Sequence, residues 1–394
     1  MFNKKITWIL TFLVFLISAT ISYSYFKNQN SNNFFLSPIN QSQSILNEEN
    51  NQYNPSSVVV DNEPKTEECP LNGVLYSKSQ REKWEKRRPL GIMIENHTES
   101  RPQSGLSFAD IVYEVVAEGG ITRFLAIYYC QDANPVGPVR SARIYFIKIL
   151  QEYGQYPLYA HVGGANTPGP ADALGEIVNL GWASYNDLNQ FSVPFPYFWR
   201  DYERLPNRAT EHTVYTSTIK LWQYAKEKRK LTNVDEKGVL WSKDFISWNF
   251  KDDEEKNKRG DNSKISFTFW DSFSSDYKVT WAYNKEKNLY ERNNGGKPHL
   301  DKNTDKVITA KNVIIVFAKE SPANDGYPGG HLLYKLIGSG DGIVFQDGKA
   351  IKISWRKDNE ETRMKFFEKN GKEINFVRGP IWIEILPIGN EVIY

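Results

Sequence analysis

Two runs of β-branched and aromatic residues, Asp110 to Glu118 (DIVYEVVAE) and Thr122 to Tyr129 (TRFLAIYY), stand on either side of Gly119-Gly120. Strand-forming runs around a glycine pair predict a β-hairpin, which commits this part of the chain to a sheet. Around it lie further short apolar segments. Leu90 to Ile94 (LGIMI) reads as a strand ending in Glu95-Asn96-His97, and Pro157 to Val162 as a strand ended by Gly163-Gly164. Ile144 to Tyr153, Ala171 to Leu180 and Thr216 to Leu231 carry helical apolar spacing. Strands alternating with helices predict an α/β-type domain over residues 69–235. From about residue 236 the runs become β-like and turn-separated (ISFTFW, YKVTWAY, NVIIVFA, GIVFQDGKAIKISW, IWIEIL). Asp347-Gly348 and Asn370-Gly371 are hairpin turns by composition. Residues 236–394 are therefore expected to form a mostly antiparallel β domain, and the fold class as a whole is α+β.

Ahead of both parts, Ile6 to Phe26 carries no charge and lies directly after Lys4-Lys5. About 21 residues at 1.5 Å each span roughly 31 Å, enough for a hydrocarbon core of about 30 Å. The lysines keep the start inside, so the chain beyond residue 27 is expected outside the cytoplasm. No A-x-A cleavage pattern comes after the run, which favours an uncleaved single-pass anchor over residues 1–27. Residues 28–68 are rich in Asn, Gln and Ser and lack apolar periodicity, the composition of a disordered stalk.

A formal charge of +2 spread over 394 residues supplies no basic face for phosphodiester backbones, so no nucleic-acid partner is expected. The expected partners are the membrane, through the N-terminal helix, and an anionic envelope ligand or an envelope protein. Cys69 and Cys130 are the only cysteines. They suit one disulfide outside the cytoplasm or two buried thiols, and CxxC metal spacing is absent.

Charged residues crowd between Arg88 and Thr167. Asp110, Glu114 and Glu118 recur every fourth position, one face of a strand or of a helix. Asp110 and Glu114 would then hold a hard cation such as Mg²⁺, although no cofactor is established; the plainer reading is a solvated sheet face. Arg123, Arg140 and Arg143, with Arg200 and Arg204 later, supply guanidinium forks suited to phosphate or carboxylate, or to ion pairs within the fold. Asn96, His97, Arg101, Ser104, His161 and His212 are further polar site candidates. The histidines match no compact metal signature. Neither QSGLS nor RSAR is a G-x-S-x-G elbow, and the glycines of GSGDG (338–342) lack the Lys-Ser/Thr of a phosphate loop and read as a turn.

In order, CPLNG, RPLGIMIENH, ESRPQSGLSFADIVYE, EGGITRF, GPVRSAR and HVGG resemble the YerB-like lipoproteins of bacteria, a family of unknown function. The resemblance runs from about residue 69 to the C-terminus, including WRDYERLPNRATEHTVYTS. It implies two domains outside the cytoplasm and a membrane anchor. The chain departs from that family in having no lipidated cysteine after its apolar run, and in Glu211-His212-Thr213 where the family has Pro-His-Asn. The order of an acidic strand, an arginine-rich turn and a Gly-Gly pair is also similar to the LytR-CpsA-Psr phosphotransferases of the cell wall, whose diagnostic blocks are not reproduced.

Three functions are compatible with these residues. The leading one is an extracytoplasmic binding or accessory protein of the cell envelope with an arginine-lined pocket. The second is a metal-dependent phosphotransferase or hydrolase acting on a lipid pyrophosphate. The third is a structural interaction module.

Overall fold

The structure is a computed structural model that describes residues 63–394. The expected anchor (1–27) and most of the expected stalk (28–68) lie outside the described residues. No helix among the described residues is long and apolar enough to cross a membrane. The last two stalk positions, Glu67–Glu68, form a short strand paired with Leu75–Tyr76.

In chain order the elements that matter are helix α1 (Lys78–Trp84), strands β1 (Leu90–Glu95), β2 (Ile111–Glu118) and β3 (Ile121–Tyr128), helix α2 (Ile144–Leu150), β4 (Leu158–His161), α3 (Ala173–Asn179) and β5 (Asp187–Asn189). Then come β6 (Phe198–Arg200), β7 (Val214–Thr216), α4 (Thr218–Arg229), β8 (Lys264–Phe267), β9 (Val279–Asn284) and β10 (Leu289–Asn294). The last are β11 (Asn312–Pro322), β12 (Leu332–Lys335), β13 (Gly338–Gln346), β14 (Lys349–Lys357), β15 (Lys365–Glu368), β16 (Ile381–Pro387) and β17 (Val392–Ile393).

One large sheet runs in the order β15-β14-β13-β11-β16-β2-β3-β1-β4-β5, with β12 attached to β11. Residues 63–394 form a single compact unit, so the expected boundary near 235 falls inside it, and strands from both halves share this sheet. The seam is the parallel pairing of β16 with β2, Ile381 opposite Ile111 and Glu384 opposite Glu114. The architecture is thus mixed and β-rich. A second sheet of β8, β9 and β10, edged by β17, packs on the first, with Trp281 edge-on to Trp382 at a centroid distance of 5.3 Å.

The β2–β3 hairpin forms as expected, because Gly119 (φ 56°) and Gly120 (φ 82°) both take the left-handed conformation that a two-residue turn of this twist requires. Asp347-Gly348 closes β13–β14 in the same way. The GSGDG glycines, expected as a turn, instead open strand β13, and the indole of Trp355 occupies the space that a side chain at 340 would need. Cys69 and Cys130 form a disulfide with a Cα–Cα distance of 6.1 Å.

Candidate functional site

Strands β1 and β4 lie side by side and parallel, Leu90 opposite Leu158, so Glu95-Asn96 and His161-Val162 emerge at the same edge. Carboxyl ends of neighbouring parallel strands are where open α/β sheets place ligands. The segment Val136–Arg143 is threaded across this edge. Its backbone is held on one side by Val139 N–H donating to Val214 O (2.7 Å) and on the other by Arg140 N–H donating to Met93 O (2.9 Å). Gly137 permits the approach, because a Cβ there would stand 2.9 Å from Val214 O. Further on, Ala142 N–H donates to Gly163 O at 2.9 Å, so the Gly163-Gly164 pair locks the same segment. The GPVRSAR motif is thereby fixed with its arginines along the sheet edge.

Arg123 from β3, with Arg140 and Arg143 from this segment, line two adjoining cavities of about 340 and 290 Å³. Glu118, Arg123 and Arg140 belong to both. Arg143 pairs with Glu118, its Nη1 donates to Ala142 O at 2.7 Å, and its Nε is buried without a hydrogen-bond partner. Arg123 is held by Ser141 O (3.3 Å) and lies 3.8 Å from Glu118. Arg140 is the most open of the three, with 27% of its side chain exposed and its Nε 3.1 Å from Glu95. Burial lowers the pKa of Arg123 and Arg143 below the guanidinium norm, so an anion entering here would relieve charges held out of water.

His212 completes the larger cavity. Its Nδ1 lies 2.8 Å from Glu95 Oε2, which raises the imidazole pKa against the opposing effect of burial. His97 stacks on it at 4.8 Å, and the His97 Nδ1 accepts the N–H of Glu99 (3.2 Å). The smaller cavity is bounded by Tyr327 and His331 from the loop joining β11 to β12. Their rings stack at 4.1 Å, and His331 Nδ1 is 2.7 Å from Asp325. Sequence reading missed this loop, and its Gly329-Gly330-His331 at the end of a polar hairpin turn was the available signal.

Other expected site residues are placed elsewhere. Arg200 binds Thr210 O and Thr213 Oγ1, while Arg204 donates to Ser104 Oγ (2.6 Å) and Asn303 Oδ1 (2.5 Å), so both staple loops and line neither cavity. His161 is fully buried with both nitrogens engaged, Nε2 to Asp187 at 2.6 Å and Nδ1 to Gly163 O at 2.7 Å. Asn96 and Arg101 tie the halves together, Asn96 accepting from Asn294 (2.8 Å) and Arg101 donating to Asp276 O (2.7 Å).

Asp110 and Glu114, expected as a metal pair, face different partners. Asp110 precedes β2, is fully buried beside the disulfide and accepts from Asn72 and the N–H groups of Tyr129 and Cys130. Burial pushes its pKa up to about 6. Glu114 is equally buried and is committed to Arg292, Asn96 and Thr122. Glu118 lies beyond an irregularity in the β2–β3 register, so the four-residue spacing does not bring the three carboxylates to one point. Among the described residues, the one cluster with ligand-like spacing is Asp110 with Cys69 and Cys130, whose sulfurs are bonded to each other.

The two halves of this chain match two domains of one protein family. Residues 76–232 match the N-terminal domain, and residues 267–383 the C-terminal domain, of a family described as protein of unknown function (DUF3048). The chain belongs to this family. It is 32% identical over 321 residues to "Putative lipoprotein YerB" of Bacillus subtilis (strain 168), covering 81% of this chain and 86% of that one. The crystal structure of YerB from Bacillus subtilis matches with a TM-score of 0.66 at 28% identity, over 84% of this chain and all of that one.

Proposed function

We propose that this protein is an extracytoplasmic, envelope-associated binding protein, tethered by its N-terminal apolar run, that takes an anionic envelope component into the Arg123–Arg140–Arg143 cleft. The observation that carries the reading is the convergence of three arginines from two segments on cavities at the carboxyl edge of β1 and β4. Guanidinium forks in partly desolvated surroundings recognise phosphate and carboxylate strongly. The similarity to a lipoprotein supports the location outside the cytoplasm.

A metal-dependent phosphotransferase would need a cation close to these arginines, and the separate engagement of Asp110 and Glu114 favours binding over that chemistry. Calorimetric titration of the full-length chain with inorganic pyrophosphate and with a short-chain polyprenyl pyrophosphate, with and without Mg²⁺, tests the reading. Metal-independent heat that disappears in Arg140→Ala is expected. Heat that requires Mg²⁺ would favour the phosphotransferase, and no heat with folded protein would leave the structural-module reading in its place.

A further inference from the structure

The two cavities are of opposite sign. The larger is lined by Glu95, Glu99, Glu118 and Glu211 against Arg123 and Arg140, a formal charge of −2 with neutral histidines. The smaller is lined by Arg123, Arg140 and Arg143 against Glu118 alone, a formal charge of +2. The shared residues Glu118, Arg123 and Arg140 form the boundary, so the cleft is a single trough with a positive and a negative end.

Internal pairing does not erase this polarity. Glu95 is taken up by Arg140 and His212, and Glu118 by Arg143. Glu99 is 45% exposed, and its one ion-pair neighbour is His212 at 3.7 Å. Glu211 is exposed, and among the described residues neither it nor Glu99 has a lysine or arginine within ion-pair distance. At the other end the Nε of Arg143, on a side chain that is itself only 7% exposed, has no hydrogen-bond partner. One end therefore presents Arg123, Arg140 and Arg143 against Glu118, and the other holds Glu211, with no lysine or arginine in ion-pair distance, and Glu99, whose one such neighbour is His212.

We propose that the cleft is built for a zwitterion, a small molecule or terminal group carrying an anion for Arg143 and Arg140 and an ammonium for Glu99 and Glu211. This rests on the anion-binding reading above and adds the second charge to it. A ligand with only an anion would gain at one end and be repelled from the other. A phosphate or a carboxylate linked to an amine by a short chain satisfies both ends. Two sources of that chemistry are a phosphate ester of an amino alcohol and an amino acid or short peptide with a free amine.

The test uses matched pairs that differ in the ammonium alone: O-phosphoethanolamine against monoethyl phosphate, and β-alanine against propionate, each titrated calorimetrically into the full-length chain. The zwitterion of at least one pair is expected to bind about two- to fivefold more tightly than its partner, the worth of one solvent-exposed charge pair. Glu99→Gln with Glu211→Gln should remove that margin while leaving the affinity for the plain anion unchanged or improved. Which pair shows the margin identifies the anion as phosphate or carboxylate. Equal affinities within both pairs, abolished together in Arg140→Gln, would overturn the zwitterion while leaving the anion site standing. Failure of all four probes to bind the folded wild-type chain would overturn the anion site as well.

Discussion

Arg292 is the residue on which the buried chemistry turns. It is fully buried, paired with Glu114, 3.8 Å from Glu384, and its guanidinium carbon lies 4.7 Å from the centroid of Trp382. Glu384 is opposite Glu114 across the β2–β16 seam, and burial, reinforced by the Glu114 charge, raises its pKa well above the carboxylate range. Burial thus drives Glu384 toward its neutral form, and Arg292 is the one cation facing both buried carboxyl groups among the described residues. Arg292→Met leaves both acidic side chains buried without their cation and should cost about 3–5 kcal/mol in denaturant unfolding. Glu384→Gln replaces a carboxyl that burial drives toward its neutral form, keeps an acceptor for Trp281 Nε1, and should cost about 1 kcal/mol or less. Equal losses in the two variants would contradict this assignment. His212 makes a pH prediction of definite sign. Glu95 raises its pKa above the ordinary 6.5, so their interaction contributes stability that is complete below that value and is lost as pH rises through the higher folded value. Melting scans should find the wild-type advantage over His212→Gln larger at pH 5.5 than at pH 8.5, and the reverse order would contradict it.

Among the elements, local turn chemistry was readable and distant pairing was not. Gly119-Gly120 and Asp347-Gly348 announce their hairpins because the turn itself demands those residues. Nothing local announces that β16 pairs with β2, because the partners are far apart in sequence and neither carries a mark specific to the other. The same limit hid the buried network. Arg292 in NLYERN and Glu384 in IWIEIL look like the solvent-facing members of alternating strands, and their burial is decided only when the second sheet packs on the first. The arginines of the cleft were legible because they sit at the ends of short apolar runs. Asp110 and Glu114 do not converge, because equal spacing implies a shared face only inside one regular strand, and Asp110 stands just outside it. The disulfide joins the segment before α1 to the residues just after β3 and closes a loop with a sequence separation of 61. Cys69→Ser with Cys130→Ser should therefore lower stability by about 4 kcal/mol through loop entropy, or less where the unfolded chain keeps structure. No change in the denaturation midpoint would contradict that role.

For the molecule as a whole, the shared sheet and the Asn96, Arg101 and Arg204 links across to the C-terminal half make the cleft depend on both halves. Tyr327 and His331 reach it from the second half, while every cleft arginine comes from the first. A fragment ending at residue 235 would lose β16 and leave β2 as an open edge, so it is expected to be unfolded or aggregated by circular dichroism and gel filtration. On the binding proposal, Arg123, Arg140 and Arg143 receive the ligand and Arg200 and Arg204 do not. The direct measurement is the ¹⁵N shift of the arginine Nε–Hε resonances during titration with pyrophosphate, assigned through single Arg→Lys variants. Shifts at Arg140 and Arg143, with Arg200 and Arg204 unmoved, are the predicted result. Shifts confined to Arg200 and Arg204, or none at any arginine, would rule out the cleft as the anion site.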